Sequence, residues 1–141
     1  MGVSTNAILV FGVELGEDVP ESLLGEDGSF DFEDILAADA GLFEPICGTE
    51  NLSTPYWEAK RKAVAEAPVE LVWHCSGEYP MYILGVPGTE KTANRGHPRT
   101  VTPSDFATPS DEKIEAFKKW CEDHDIVLEA EPAWLLCSYW S

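Results

Sequence analysis

The residues best suited to chemistry lie in two apolar segments, 69–86 and 132–140. Together they hold three of the five tryptophans, three of the four tyrosines and two of the four cysteines. Buried Trp, Tyr, His and Ser side chains must find hydrogen-bond partners, so such segments indicate either a specified core or a lined pocket. The first segment carries His74, suited to act as a general base, next to Cys75, suited to act as a nucleophile.

Strand periodicity separates these two side chains. In an alternating strand Trp73 and Cys75 share one face, while His74 lies on the other. We expect the Trp73 face to pack into the core and the His74 face to form a functional surface. A joint Cys–His dyad is therefore not favoured, because neighbouring strand residues point in opposite directions. Cys75 on the core face is typical of a small buried residue.

The candidate binding surface or pocket combines polar side chains of the first segment with the aromatic end of the second. A pocket of this kind, mostly apolar with a few convergent polar groups, would bind or hydrolyse a small molecule. An exposed aromatic end would instead form a protein-binding patch. No catalytic residue is assigned and an enzyme is not favoured, because no recognised catalytic motif is present. The candidate residues are His74, Ser76, Glu78, Tyr79, Tyr82, Tyr139 and Trp140.

Metal and cofactor sites are not expected. The four cysteines are scattered, without the paired spacing of zinc fingers or ribbons. The acidic stretch Glu26–Asp34 offers oxygen ligands that suit calcium, but its glycine and its closing glutamate do not match an EF-hand. The segment Gly88–Arg99 lacks the order of a phosphate-binding P-loop, so we expect a mobile surface loop there.

The charge of the chain limits its partners. The formal net charge is −17, and residues 1–59 contain thirteen acidic residues and no Lys or Arg. Binding to nucleic acid or to an anionic membrane needs clustered bases, so neither partner is expected. An acidic surface favours a basic partner, which makes a basic protein the leading candidate. A merely solvated acidic face is the alternative.

The pattern of apolar and turn residues predicts a single α+β domain over residues 1–141, with a small mixed or antiparallel sheet packed against helices. Gly12 inside the first strand indicates a bulge or a close backbone approach. About three helices are predicted: Asp31–Ala40, one that begins at Pro55, and one over about 109–124. About five strands are predicted: Ala7–Leu15, Val69–Ser76, Met81–Val86, Ile126–Ala130 and Ala133–Trp140.

The apolar strand Ala133–Trp140 requires pairing within the sheet, and a central position is expected for it. If it met a symmetry mate instead, the chain would be a homodimer, so monomer and homodimer both stay open. No signal peptide and no membrane-spanning segment is predicted. We therefore expect a cytoplasmic protein with reduced thiols rather than a disulfide framework.

Three blocks of this sequence resemble small acidic proteins encoded by actinobacterial bacteriophages. The blocks are AILVFGVELGED, the Trp57–Lys62 segment leading into VELVWHCSGEYPMYILGV, and PAWLLCSYW. The resemblance implies a phage origin and hence the host cytoplasm, but it implies no activity and supplies no catalytic residue. Residues 87–105 depart most from the family, so nothing carries over there. The resemblance also implies one shared architectural unit containing His74, Cys75, Ser76, Tyr79, Pro80, Tyr82, Trp134 and Cys137.

Overall fold

The computed structural model of the chain describes residues 5–25, 27, 28, 30–42 and 50–140, without the side chains of 50–54. Its three helices and five-stranded mixed sheet confirm the α+β class. The helices are α1 (Phe32–Asp39), α2 (Glu50–Glu66) and α3 (Asp111–Asp123). The strands are β1 (Thr5–Gly16), β2 (Glu70–Ser76), β3 (Pro80–Gly85), β4 (Lys91–Asn94) and β5 (Ala133–Trp140).

The strand β1 organises the sheet, whose order is β3-β2-β5-β1-β4 with a further pairing of β3 to β1. The first half of β1 lies between β5 and β4, and its second half pairs with β3. Since β5 also pairs with β2, and β2 with β3, the pairings form a closed circuit β1–β5–β2–β3–β1. The strand β5 is central, as the sequence predicts, and its pairing with β2 is parallel.

Gly12 marks the point at which β1 passes from one set of neighbours to the other. It is the last β1 residue paired with β5 and the first paired with β3, opposite Gly85. A Cβ at Gly12 would lie 2.0 Å from the Leu84 carbonyl oxygen and 2.8 Å from the Gly85 Cα. The predicted close backbone approach is therefore confirmed, and only glycine fits this position without a backbone shift.

The buried hydroxyl group of Thr89 lies between β4 and β3, which pair with the same edge of β1. The Phe11 N–H donates to the Thr89 Oγ1 at 3.1 Å, and the Val86 N–H donates to the Phe11 carbonyl at 2.8 Å. Thr89 in turn donates to the Val86 carbonyl at 2.7 Å. These bonds satisfy the backbone N–H and C=O groups of Phe11, which pair with neither β3 nor β4. Buried backbone groups need such partners.

The two sides of the sheet differ in burial, and we call them the inner and the outer face. The inner face carries a buried cluster of four aliphatic side chains from three strands. Burying such a side chain contributes about 1.5–3 kcal/mol, so this cluster is a main source of stability. The cluster consists of Ile8, Val10, Val72 and Ile83, with Leu135, Cys137 and Tyr139 packed against it.

The chain divides into two compact units, one of Met1–Ser22 with Pro68–Ser141 and one of Leu23–Ala67. The first contains the sheet and α3, and the second contains α1 and α2. Within the second unit, Lys60 on α2 binds Asp34 on α1 with 2.5 Å between Nζ and Oδ1. The hydrogen bond to Asp34 raises the pKa of Lys60, so this ion pair holds the two helices together.

The helix α3 lies within the predicted range of about 109–124, and its N-cap is Ser110. At its end Asp125 has a φ of 56°, and the Ile126 N–H donates to the Cys121 carbonyl at 2.8 Å. This is a Schellman motif, in which the apolar residue after the turn packs back on the helix. The prediction of a strand over Ile126–Ala130 is therefore wrong, because the apolar side chain of Ile126 belongs to the motif that ends α3.

Two further boundaries correct the sequence prediction. The helix α2 begins at Glu50, so Pro55 lies inside it rather than at its first position. The segment predicted as a loop, Gly88–Arg99, contains β4, which pairs antiparallel with Asn6–Leu9 of β1. The strand β4 is short and polar, so it lacks the apolar alternation that identifies strands. In the described ranges no helix has the length and apolarity needed to cross a bilayer.

We predict that Gly12→Ala destabilises the protein by more than about 3 kcal/mol, because the new methyl group overlaps the backbone of β3. Denaturant unfolding followed by circular dichroism measures the change. Gly88→Ala is the matched control: its φ is 82° but nothing lies within 4 Å of the new Cβ, so it costs only about 1–2 kcal/mol. Equal losses for the two variants would contradict the close approach.

Candidate functional site

The hairpin of β2 and β3 presents the opposite face to solvent from the one expected. Trp73 is 55% exposed, whereas His74 is only 8% exposed. Trp73 packs edge-on against Tyr82 of β3, with 5.7 Å between ring centroids, on the outer face. The expectation that Trp73 lies in the core is therefore wrong. Val72, beside His74 on the inner face, is the residue that joins the aliphatic cluster.

Cys75 also differs from the expectation of a small buried residue. Its φ is 73°, in the left-handed region that few residues other than glycine adopt, and its side chain is exposed rather than buried. The Cys75 backbone therefore ends the regular part of β2. His74 is buried and Cys75 is exposed, so the structure gives no support for a Cys–His nucleophile pair.

His74 is enclosed on the inner face. Its Nε2 atom is buried and makes no hydrogen bond within the described part of the chain. An unpaired buried polar atom costs stability, by about 1–3 kcal/mol in general. A general base must reach the proton it abstracts from a substrate, and an enclosed imidazole has no such access. The role predicted for His74 as part of an accessible surface is therefore not supported by its placement.

The remaining predicted residues fall into three groups. The turn after β2 holds Ser76, Glu78 and Tyr79, and the Tyr79 N–H donates to the Ser76 Oγ at 2.9 Å. Tyr139 packs against the inner cluster. Trp140 is 57% exposed, and its carbonyl accepts from the Gly77 N–H at 3.1 Å. A single pocket cannot be lined by this whole set, because its members lie on both faces of one sheet.

Part of the outer face is open to solvent, and we call it the open face. Trp73, Leu136 and Trp140 are each more than half exposed there, and Leu136 reaches 77%. Ala7 pairs with Ser138 and Trp73 pairs with Tyr82, so these residues share the outer face with Leu136 and Trp140. The open face consists of six residues: Ala7, Trp73, Tyr82, Leu136, Ser138 and Trp140.

Trp134 marks the boundary at which the outer face becomes covered. Its ring packs edge-on against Phe11 at 5.5 Å and against Phe106 at 5.9 Å. Its Nε1–H donates to the Phe106 carbonyl at 3.0 Å, and the Lys91 ammonium lies 5.1 Å from its ring centroid. The segment around Phe106 thus covers the outer face near Phe11, while the other end stays open.

Among the described strand residues, no acidic side chain lies on the outer face. Glu14 and Glu70 are the acids of the five described strands, and both alternate with outer-face residues and so belong to the inner face. Lys91 is the charged strand residue on the outer side, where it contacts Trp134. For a chain of net charge −17, this makes the open face chemically distinct from the rest of the molecule.

Leu136 and Trp73 are the functional candidates that sequence reasoning missed. The strand Ala133–Trp140 carries large apolar side chains on both faces, so alternation alone does not identify its buried side. The useful signal lies in β1. Large apolar side chains occur in both sets of alternating residues of this strand, but the small residue Ala7, near the Thr5 end, belongs to only one set. Pairing β1 with β5 then places Leu136 and Trp140 on that same side.

Two of the described thiols, those of Cys121 and Cys137, are poorly suited to act as nucleophiles. Burial raises the pKa of Cys121 to about 11. Burial, together with Glu90 and Glu14, also raises the pKa of Cys137. Both are therefore protonated at neutral pH, and the thiol is a poor nucleophile. Cys47 lies outside the described residues, as do Glu26 and Ser29 of the acidic stretch. No group of three metal-ligating side chains is found among the residues that the structure describes.

Comparison with known proteins supplies no relative for this chain. No family model matches it, and neither a curated protein nor a solved structure matches it. The chemistry of the open face is therefore the main guide to function.

The charge of Glu70, on the inner face, lowers the stability of the folded protein. Its Oε1 is buried without a hydrogen-bond partner among the described residues. Burial, followed by repulsion from Glu90, raises the pKa of Glu70, although a hydrogen bond from the Gly88 backbone lowers it in part. A raised folded-state pKa means that stability is greatest when the carboxyl group is protonated and is lost as the pH rises through that pKa.

We predict that Glu70→Gln stabilises the protein at pH 7 by up to about 1 kcal/mol, because a neutral amide removes the buried charge. The gain disappears below the ordinary carboxyl pKa of 4.5, where the native residue is itself protonated in both states. Urea unfolding at several pH values measures the difference. Glu78→Gln, in the exposed turn, is the control and leaves stability unchanged. A gain that persists unchanged at acid pH would contradict this account.

Proposed function

We propose that this chain is a binding protein that docks a basic partner protein on its open face. The observation that carries the proposal is the exposure of Trp73, Leu136 and Trp140 on the same outer face of the sheet, where the described strands place no acidic side chain. Exposed apolar patches of this kind mark interaction surfaces on monomeric proteins. Tryptophan is also the residue type most enriched among those that dominate binding energy.

The shape of the open face favours a protein partner over a small molecule. Its residues come from adjacent strands and project from one side of a sheet, so they form a surface rather than a cavity. Small-molecule sites are concave and enclose most of the ligand. The alternative, a hydrolytic pocket lined by the hairpin and the last strand, requires His74 and Trp140 to share a cavity although they lie on opposite faces.

The charge of the chain supports a basic partner. A net charge of −17 raises the encounter rate with a basic protein through long-range attraction. The absence of acids from the open face has a separate effect, because burying an unpaired carboxylate there would cost several kcal/mol. An apolar centre surrounded by charge is the usual anatomy of a protein interface. Docking of a second copy would instead bring two strongly acidic chains together.

The resemblance to acidic phage proteins suggests where the partner is found. If the chain is phage-encoded, the basic partner is a protein of the actinobacterial host, met in the host cytoplasm. No enzymatic activity is proposed, since the exposed thiol of Cys75 has no accessible base beside it: the neighbouring His74 is buried.

We predict that the purified protein retains a basic host protein from an actinobacterial lysate and that Trp73→Ala/Trp140→Ala loses it. Removing two central tryptophans weakens binding by about thirtyfold or more. Captured proteins are identified by mass spectrometry, and the affinity of the identified partner is then measured by calorimetry at low and high salt. Binding that weakens with salt supports the basic partner.

Trp57→Ala is the matched control, because it removes another exposed tryptophan from α2. We expect the Trp57→Ala variant to retain the partner as the native protein does. Thermal unfolding shows that all variants are folded. Equal capture by the double variant and the native protein would contradict the proposal. So would a dimer in sedimentation equilibrium that the double variant abolishes, because the open face would then bind a second copy.

A further inference from the structure

A cleft of about 520 Å³ lies at the other end of β1, within the unit that contains the sheet. Its floor is formed by residues 12–15 of β1 with Ala133 and Leu135 of β5, and its wall by the chain segment 125–131. This segment is irregular, because the Schellman motif at Asp125 directs it away from α3 and Pro132 then precedes β5. The cleft therefore occupies the place where β5 would continue if it began earlier.

The floor of this cleft exposes an unpaired strand edge. The pairing of β1 with β5 ends at Gly12, opposite Ala133. Beyond Gly12 the strand pairs with β3 on its other side, through Val13 and Glu14. Alternate N–H and C=O groups of Val13–Leu15 therefore point away from β3 into the cleft. In the described residues no backbone hydrogen bond joins Val13–Leu15 to segment 125–131.

The size of the cleft suits a short extended segment. One residue of a strand fills about 160 Å³, taking a rise of about 3.3 Å, a strand spacing of about 4.8 Å and a layer spacing of about 10 Å. A cleft of about 520 Å³ thus holds about three such residues, which matches the length of the unpaired edge Val13–Leu15. Unpaired strand edges bind extended peptides by adding a strand to the sheet.

The lining also specifies the chemistry of the occupant. It contains no Lys, Arg or His, and its four carboxylates belong to Glu14, Asp125, Glu129 and Glu131. Glu131 is bound to Lys118 at 2.5 Å, and no ion pair of the other three carboxylates is found among the described residues. Apolar side chains, among them Ile126 and Leu135, line the rest. Lysine or arginine residues alternating with apolar ones match this arrangement, because side chains of a strand alternate between its faces.

We infer that the cleft binds an extended basic peptide segment, which pairs with Val13–Leu15 and continues the line of β5. The segment runs antiparallel to β1, as β5 does. This site is separate from the open face, which lies at the Thr5 end of β1 and meets its partner through side chains. The inference therefore does not depend on the proposed function, although one basic partner could occupy both sites.

The test uses a capped peptide of alternating lysine and valine, titrated into the isotopically labelled protein. Backbone amide resonances of Val13, Glu14 and Leu15 are expected to shift most. The same peptide methylated at its backbone nitrogens keeps the charge but loses the donors, and it binds about tenfold more weakly or not at all. A peptide of alternating glutamate and valine does not bind.

Variants of the protein separate this site from the rest of the acidic surface. Glu129→Gln weakens peptide binding by about two- to fivefold, whereas Glu78→Gln leaves it unchanged. Trp73→Ala also leaves it unchanged, so failure at this cleft is distinguishable from failure of the open face. Three outcomes would overturn the inference: no shift at millimolar peptide, equal affinity for the methylated peptide, or shifts centred away from Val13–Leu15.

Discussion

The contact between the backbones of Gly12 and Leu84–Gly85 is the constraint on which the sheet depends. At this point β1 leaves β5 and joins β3, and a side chain at Gly12 would separate the two strands. The approach closes the circuit of strands and thereby gives the sheet a distinct inner side. Side chains alternate between the two faces along each strand. Closure of the circuit therefore determines which of the two alternating sets of side chains in each strand is buried.

The consequence for function is a division of the polar and aromatic residues between the two sides. His74 is enclosed beside the aliphatic cluster, and its imidazole is removed from any substrate. Trp73 and Trp140 remain on the outside, in a region that the strands leave free of acids. The same closure leaves the second half of β1 paired on one side only, which exposes the edge in the cleft. Both candidate sites thus follow from where β1 changes partners.

The sequence predicted the features that depend on local pattern. The close approach at Gly12, the α+β class and the central position of β5 are all present, since glycine and strong periodicity have few alternative explanations. It did not predict the orientation of Trp73 and His74, because both faces of that strand carry apolar residues. The apolar residue Ile126 predicts a strand, although it belongs to the Schellman motif that follows α3. The polar strand β4 was missed because only its pairing with β1 defines it.

The outer face of the sheet is open to solvent, and the hairpin tryptophan, Trp73, lies on it. Hydroxyl-radical footprinting with mass spectrometry measures this directly, because it reports the oxidation rate of each tryptophan in the folded protein. We expect Trp73 and Trp140 to oxidise at rates close to those of the unfolded chain, while the buried Trp120 is protected several-fold. Protection of Trp73 equal to that of Trp120 would contradict it.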